Sequence, residues 1–471
     1  MASNLAGTVL PIVPSVNGQF IAGLFKNRLR IIPSTEPGTH NAIRIIDTKS
    51  RFTAFPRFIR WSPERTRILC ASGRCISVWD LVDEKWAADI QDVDTAGNGG
   101  VINVEFGATH DEVIAFHAFN TKVTIFSLST GQAQSIKSPK FSHSNGFAYR
   151  PSTGHLAILL KLDTVDTLTI HEKETYEVVN TVAVPTVDAQ GLKWSPDGCW
   201  IAVWDTASMG TKVVIYTADG QLFKTFTGRE EDFDLGVRVI AWSPTSHILG
   251  IGNYDGSVDF LGGDTLIVKM TIVHSVEENQ RDTPDVWRER YTDADGLYHY
   301  GSAGDLLALP TGTTNSHRAV TLLEFNCTGT MLATLCHAFP SVVWIWSVTA
   351  SRPKLTAVLV LENNVRQLLW NPVNPDSLLI TNECHTPTVH EWVTHSAPKV
   401  SHVPIKPDGG KHEATWLKDV AAHSVFLFGS SREYVVGRIS DGSEKFETVQ
   451  SWDDNSSYIS SSSRLFDTST S

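Results

Sequence analysis

The sequence predicts an all-β fold, a propeller in which about nine four-stranded blades form a single closed ring. Two observations support this prediction: a unit that repeats about every 45 residues, and an order of strands and turns that recurs inside the units. Helical periodicity, with apolar residues three and four positions apart, is essentially absent. A ring of seven or eight blades is the alternative if one or two units are not true blades.

Each unit of the repeat has an aromatic residue, then a turn rich in Pro, Gly or Asn, then an apolar strand. Between Trp242 and Phe325 the interval is 83 residues, which is one period plus an insertion. One period before Trp61 lies Val13, which precedes the same kind of turn and strand. The aromatic positions are Trp61, Phe106, Tyr149, Trp194, Trp242, Phe325, Trp370 and Trp416. Nine blades are therefore predicted to begin near residues 10, 57, 100, 144, 188, 236, 319, 363 and 411.

The fifth unit shows the content of one blade most clearly. Its strands are predicted at "GLKW", "WIAVW", "KVVIYT" and "QLFKTF", and "SPDG" forms the turn between the first two. Pro196 at the second turn position presets φ, and Gly198 at the fourth position relieves crowding. Four short strands in one period are typical of a propeller blade.

The ends of the chain bear on how the ring closes. An open array would leave unpaired edge strands at both ends, so we expect the N-terminal "TVLPIV" segment to pair with the last blade. The propeller is predicted over residues 1–449, with an insertion at 276–316 between blades six and seven. Residues 450–471 contain nine serines and are expected to form a flexible tail.

Composition and charge exclude several classes of function. A net charge of -12 disfavours a general nucleic-acid or anionic membrane surface, since both need clustered Lys and Arg. The six cysteines form no CxxC pair, so no metal site is predicted. The N-terminus lacks a basic segment, and no apolar run approaches the roughly 20 residues that span a bilayer. We expect a cytoplasmic protein that binds neither membrane nor nucleic acid.

Catalytic motifs are missing from the chain. It contains no GxSxG elbow, no HExxH and no GxxxxGK[ST] phosphate loop, so neither an enzyme nor a cofactor is predicted. Acidic pairs such as Asp94 with Asp111 would serve a propeller hydrolase only if they converged on one pocket. Solvated loop charge is the favoured interpretation, and a hydrolase is a third hypothesis.

The insertion offers candidate partner-binding residues. Between residues 276 and 316 it carries eight acids, three bases and four large aromatic residues: Trp287, Tyr291, Tyr298 and Tyr300. Aromatic side chains dominate the energetics of protein interfaces. An equally weighted alternative is that these aromatic side chains fold against the side of the ring.

The amino-acid sequences of several blades resemble WD repeats. The segments "WSP" at 61, "WSPDG" at 194 and "WSP" at 242 are repeat signatures, and "ISVWD" ends in the expected pair Trp79-Asp80. Trp204-Asp205 instead ends the second strand of its blade, so it is not the pair of the repeat. We expect Asp205 to hold a local turn beside the "TASMG" loop.

A more specific resemblance covers roughly residues 188–262. The segments "GLKWSPDGCWIAVWDTASMGTKVVIYTADGQLFKTFTG" and "DLGVRVIAWSPTSHILGIGNYDGSVDFL" resemble the WD-repeat protein eight family, the WD-repeat proteins encoded antisense to tumour protein p-seventy-three. A fungal member of this family is expected.

The resemblance implies a non-enzymatic scaffold at the spindle pole body or centrosome. In this role the protein acts with a coiled-coil anchoring protein and a minus-end-directed kinesin to anchor microtubule minus ends and support spindle organisation. The alternative is a propeller of the translation-initiation-factor type that binds the ribosome or RNA.

Overall fold

A computed structural model of the protein describes most of residues 12–453 as β-strands, turns and two short 3-10 helices, Ala118–Asn120 and Ala207–Met209. No helix in this described part is long and apolar enough to cross a membrane. The residues left undescribed are 1–11, 26–27, 35–43, 49–51, 53–55, 65, 92–99, 229–234, 276–278, 280–281, 293–296, 305–317, 350–351, 410, 418–423, 431–432, 441–444 and 454–471.

The described strands form nine sheets, in which consecutive strands lie side by side as in propeller blades. Blades one to three contain β1 (Ile12–Pro14), β2 (Phe20–Phe25), β3 (Arg28–Pro33), β4 (Arg44–Asp47), β5 (Phe58–Trp61), β6 (Arg67–Ala71), β7 (Ile76–Asp80), β8 (Ala87–Ile90), β9 (Val101–Phe106), β10 (Glu112–His117), β11 (Lys122–Ser127) and β12 (Ala133–Lys137). Blades four to six contain β13 (Phe147–Tyr149), β14 (Leu156–Leu162), β15 (Val165–His171), β16 (Val178–Ala183), β17 (Gly191–Trp194), β18 (Trp200–Trp204), β19 (Val213–Thr217), β20 (Leu222–Phe226), β21 (Val237–Trp242), β22 (Ile248–Asn253), β23 (Ser257–Gly262) and β24 (Val268–Val273).

Two strands, β25 (Asp285–Thr292) and β26 (Leu297–Ser302), precede the strands of blade seven in the chain. Blades seven to nine contain β27 (Val320–Phe325), β28 (Met331–Cys336), β29 (Phe339–Ser347), β30 (Lys354–Val360), β31 (Val365–Trp370), β32 (Ser377–Asn382), β33 (Thr388–Val393), β34 (Lys399–His402), β35 (Glu413–Trp416), β36 (Phe426–Gly429), β37 (Glu433–Ile439) and β38 (Phe446–Asp453). The predicted all-β propeller of nine blades is confirmed.

The aromatic residues that define the repeat have one structural position. Each of the eight ends the first strand of its blade, from Trp61 in blade two to Trp416 in blade nine. Four of the tryptophans donate their indole N–H to a backbone carbonyl of the preceding blade: Trp61 to Val13, Trp194 to Ala148, Trp370 to Glu324 and Trp416 to Leu369, at 2.8 to 3.1 Å. The period in the sequence thus reflects a contact between neighbouring blades.

Burial differs between the strands of a blade. The second strand is buried along its whole length in blades three and eight, whereas the fourth strands β4, β8 and β16 alternate between exposed and half-buried residues. A strand covered on both faces reads as a continuous apolar run, which is why "EVIAFH" and "SLLITN" show so little alternation. A blade therefore exposes its outer strand and buries its middle.

Nine hydrophobic clusters join the blades, one between each pair of neighbours. The cluster between the last and the first blade contains Leu427 and Val436 from blade nine with Ile12 and Ile21 from blade one. Burial of apolar surface contributes about 25 cal/mol per Å². The ring is therefore closed by side-chain packing at the seam between its ends.

The described part of the N-terminal segment, Ile12–Pro14, does not make the expected pairing with the last blade; residues 8–11 lie outside the described part. β1 pairs with β2, with Val13 opposite Ala22, and blade nine is completed by its own strands β35 to β38. Because each of these blades has four strands from consecutive sequence, neither lacks a strand for the other to supply. The outermost strand β38 extends to Asp453, and residues 454–471 of the expected tail lie outside the described part.

Candidate partner-binding site

The chain leaves blade six at His274, directly after β24. Nδ1 of His274 donates to the Gly256 carbonyl at 2.6 Å, and its Nε2 lies 2.7 Å from Oγ1 of Thr334 in blade seven. The same oxygen accepts the indole N–H of Trp346 at 3.0 Å. Burial lowers the pKa of His274 to about 4, so the ring is neutral near pH 7. Hydrogen bonds to both blades thus fix His274, the first residue of the connection from blade six to blade seven.

β25 and β26 form an antiparallel hairpin in this connection, which we call the blade-seven hairpin (285–302). β25 runs parallel to β30, with Trp287 opposite Leu359. The sheet of blade seven therefore has six strands, in the order β26-β25-β30-β29-β28-β27, whereas the other eight described sheets have four. The hairpin extends the outer edge of one blade.

Three buried side chains attach the hairpin to the ring. Val286 is part of the hydrophobic cluster between blades six and seven. The Asp282 carboxylate accepts the backbone N–H of Leu355 at 3.0 Å, and the Glu289 carboxylate accepts that of Glu362 at 2.8 Å. Leu355 lies near the start of β30 and Glu362 two residues after its end, so the carboxylates fix the hairpin along the length of the strand.

Trp287 and Tyr300 face the ring. Trp287 is half-buried against the cluster between blades seven and eight. The Tyr300 hydroxyl lies 3.1 Å from Nδ1 of His390 in blade eight. The Asn382 amide donates to Nε2 of His390 at 3.0 Å, so Nδ1 carries the proton and donates it to the tyrosine oxygen. The hairpin is thereby hydrogen-bonded to blade eight as well as to blade seven.

Burial also shifts the ionisation of the groups beneath the hairpin. It raises the pKa of Glu289 to about 7 and lowers that of His390 to about 3. Burial likewise raises the pKa of Tyr300 well above its ordinary value. Glu289 Oε1 and His390 Nε2 lie 3.9 Å apart. Near pH 7 the histidine is neutral, and the carboxyl exchanges its proton in the physiological range.

The other two predicted aromatic residues lie toward the free end of the hairpin. Tyr291 is 54% exposed, and its ring centroid lies 5.2 Å from that of the half-buried Tyr298. Leu297, which the sequence did not single out, is also exposed and lies opposite Thr292 in the hairpin. The structure thus divides the predicted set: Trp287 and Tyr300 hold the hairpin, Tyr298 also contacts the ring through the Cys384 thiol of blade eight, and Tyr291 is exposed toward the tip.

A cavity of about 400 Å³ is lined by residues of blades two, three and four, including Asp111 and Glu112. Asp111 accepts a hydrogen bond from Arg67 at 3.2 Å, and Glu112 accepts one from the Tyr176 hydroxyl at 2.9 Å. Both carboxylates therefore hold neighbouring side chains in place. Asp94, the other member of the sequence-predicted pair, lies outside the described residues. Among the residues that are described, no group of three His, Cys, Asp or Glu side chains could hold a metal ion.

Asp205 lies where the sequence predicts, directly after Trp204 ends β18. Its buried carboxylate accepts the backbone N–H groups of Val187, Asp188 and Thr206 at 2.8 to 3.2 Å. The expected role in local turns is confirmed, and it includes the loop that arrives from blade four. Asp205 thus joins two loops at one end of the ring.

The protein is a WD-repeat-type β-propeller, because its nine blades form a ring that is closed by side-chain packing. Propellers of this class are typically non-enzymatic scaffolds. No family model matches the chain. It is 27% identical over 349 residues to the WD repeat-containing protein WRAP73 of Mus musculus, covering 69% of this chain and 73% of that protein. WRAP73 is the WD-repeat protein antisense to p73, so the resemblance seen in blades five and six is confirmed.

A fungal relative matches along more of the chain. An uncharacterised WD repeat-containing protein of Schizosaccharomyces pombe is 24% identical over 469 residues, covering 94% of both chains. Among solved structures, Sqt1 of Saccharomyces cerevisiae has a TM-score of 0.50 at 10% identity, covering 79% of this chain and 92% of that chain. At this identity the likeness to Sqt1 concerns the fold alone.

Proposed function

We propose that this chain is a non-enzymatic scaffold of the spindle pole body or centrosome. The similarity to WRAP73 over 69% of the chain is the observation that carries the proposal. In this role the ring binds a coiled-coil anchoring protein and, through it, a minus-end-directed kinesin. Microtubule minus ends are thereby tethered and the spindle is kept in order.

The blade-seven hairpin is the contact element that we assign to the coiled-coil partner. Tyr291 and Leu297 are exposed toward its tip, and aromatic and aliphatic side chains of this kind anchor protein interfaces. The strand pairing to β30 and the contact of Tyr300 with His390 hold the tip in a fixed position. A pre-organised contact loses less conformational entropy on binding.

The experiment is to image a tagged chain in mitotic cells and to purify it with its bound proteins. We expect signal at the spindle poles and co-purification of a coiled-coil pole protein. Tyr291→Ser should reduce both, whereas Val373→Ser, which alters a 72% exposed residue of blade eight, should leave both unchanged. A wild-type chain with no signal at the poles would contradict the proposal. Co-sedimentation with ribosomes that survives moderate salt would favour the initiation-factor alternative.

A further inference from the structure

Five loops at one end of blades three to five form a connected surface, which we call the loop platform (118–121, 138–146, 163–166, 184–190 and 205–212). The Asn120 side chain donates to the Lys140 carbonyl at 2.9 Å, and the Lys161 amide donates to the Ser138 carbonyl at 3.0 Å. Asp205 ties the last two loops together, as described above. Hydrogen bonds thus connect neighbouring loops of the platform.

A buried carboxylate holds the centre of the loop platform. Asp166 accepts hydrogen bonds from Nζ of Lys140 at 2.6 Å, from Nζ of Lys161 at 2.9 Å and from the Ala189 amide at 2.6 Å. Burial opposes ionisation of Asp166, but these donors together hold its pKa below the ordinary value. The carboxylate is therefore ionised at neutral pH, and its hydrogen-bonding capacity is taken up by groups of the protein itself.

Exposed apolar side chains lie on this surface, where their contact with water contributes nothing to the stability of the fold. They come from the successive loops and from the strand ends next to them. They are Phe119, Leu162, Val165, Val187 and Met209, with Leu235 just beyond the platform toward blade six.

Phe119 is the most unusual of these residues. It is 87% exposed, and its φ of 58° lies in the left-handed region that a bulky side chain avoids. The Ala118 amide donates to the Gly100 carbonyl at 2.9 Å, and the Thr121 hydroxyl donates to the Ala118 carbonyl at 3.2 Å. Hydrogen bonds thus fix the loop before and after Phe119, whose ring is exposed to solvent. Backbone strain of this kind is concentrated at functional sites.

Two lysines lie at the platform end of strands β11 and β12, the first of them three residues after Phe119. Lys122 and Lys137 are directly opposite each other in the β11–β12 ladder, an arrangement of like charges that destabilises a sheet. Neither forms an ion pair with a described residue. Of the acids on the platform, Asp166 and Asp205 are buried and hydrogen-bonded, Asp188 pairs with Lys140, and Asp163 is exposed at the turn between β14 and β15. The blade-three side of the platform, where Phe119 lies, is therefore basic and apolar.

We propose that the loop platform binds an acidic amphipathic helix of a partner protein. The apolar face of the helix covers Phe119, Val165 and their neighbours, and its carboxylates neutralise Lys122 and Lys137. A helix with apolar residues at i, i+3, i+4 and i+7 and acids beside them matches a row of apolar groups with lysines at one side. This surface is distinct from the blade-seven hairpin and does not depend on the proposed role at the spindle pole.

The test uses three fluorescent synthetic helices of about five turns that share one leucine face. Their polar faces carry glutamate, lysine or glutamine, and binding to the full chain is followed by fluorescence anisotropy. We expect the glutamate peptide to bind at least about tenfold more tightly than the lysine peptide. Phe119→Gly should weaken this binding about tenfold, and Lys122→Glu with Lys137→Glu should reverse the charge preference.

Two controls separate binding from folding. Phe119→Gly removes the ring and the backbone strain together, so Tm should stay the same or rise while affinity falls. Val82→Ala alters an 81% exposed residue in the turn between β7 and β8, at the other end of the strands, and should leave affinity unchanged. Tyr291→Ser should also leave peptide affinity unchanged, which keeps this proposal separate from that for the hairpin.

Several outcomes would overturn the proposal. They are equal binding of the three peptides, no binding of the glutamate peptide, or undiminished binding by Phe119→Gly. Binding to vesicles containing phosphatidylserine in preference to the glutamate peptide would assign the surface to a lipid instead.

Discussion

The blade-seven hairpin and the loop platform both present exposed aromatic residues, but the fold fixes them by different means. The hairpin adds two strands to a sheet and rests on the neutral His390 and on Glu289, whose pKa is raised to about 7. The platform depends on Asp166 and Asp205, two buried carboxylates that accept several hydrogen bonds each. The attachment of the hairpin therefore includes a carboxyl group that titrates near neutral pH, whereas the carboxylates of the platform do not titrate there.

The difference follows from the hydrogen-bond donors and charges that surround each buried carboxylate. Asp166 is surrounded by two ammonium groups and an amide, so its charged form is favoured. Glu289 receives one amide hydrogen bond and no cation at hydrogen-bond distance, so burial dominates. Although each residue is only 1% exposed, the carboxylate of one region is ionised at neutral pH and the carboxyl of the other exchanges its proton there.

The largest expected effect comes from Asp166→Ala. It leaves the buried Lys140 ammonium without its main partner and frees the 184–190 loop, which should lower the free energy of unfolding by about 3 kcal/mol. Asp188→Ala is the matched control, because Asp188 pairs with the same lysine but is largely exposed. It should cost less than about 1 kcal/mol in the same urea titration. Equal losses would show that Asp166 is not the support of the platform.

Glu289→Gln should change the pH dependence of stability. With a pKa of about 7 in the folded protein and an ordinary value of 4.5, the folded state binds more protons between these values. The free energy of unfolding of the wild type should therefore fall as pH rises from about 5 to 8, by an amount of the order of 2 kcal/mol. The amide cannot ionise, so the variant should show a smaller decrease. Parallel curves for the two proteins would refute this account of the hairpin.

Tyr300→Phe should have a smaller effect, of about 1 kcal/mol. It removes the oxygen that accepts the proton of His390 Nδ1 and leaves that donor buried. Tyr291→Phe removes a hydroxyl from an exposed ring and should change stability very little. Thermal unfolding of the two variants side by side measures the difference. If both had the same Tm as the wild type, the hydrogen bond to blade eight would contribute nothing.

The sequence predicted the ring well because its signals are local and repeated. Each of Trp61, Trp194, Trp370 and Trp416 meets the carbonyl of the preceding blade through the same contact, so the same residue type recurs at the same interval. The strands of blade five were predicted to within one residue for the same reason: turn residues such as Gly198 mark their ends.

Contacts between distant residues left no such signal. The hairpin is fixed by pairs more than 70 positions apart, such as Glu289 with the Glu362 amide and Tyr300 with His390. Nothing in "YHY" indicates that Tyr300 meets His390 or that Tyr298 meets Cys384. Phe119 likewise follows an apolar strand in "FHAFN", and only its backbone conformation reveals that it points away from the core.

The smallest effect on stability, and the sharpest separation of the two surfaces, should come from their exposed aromatic residues. Tyr291→Ser should change the free energy of unfolding by less than about 0.5 kcal/mol, because an exposed side chain buries little area. Phe119→Gly should raise it slightly, since glycine adopts a φ of 58° without strain. Chemical denaturation of the single and double variants gives both values. Additive changes are expected because the surfaces lie on different blades, whereas a coupling above about 0.5 kcal/mol would show that the ring transmits strain between them.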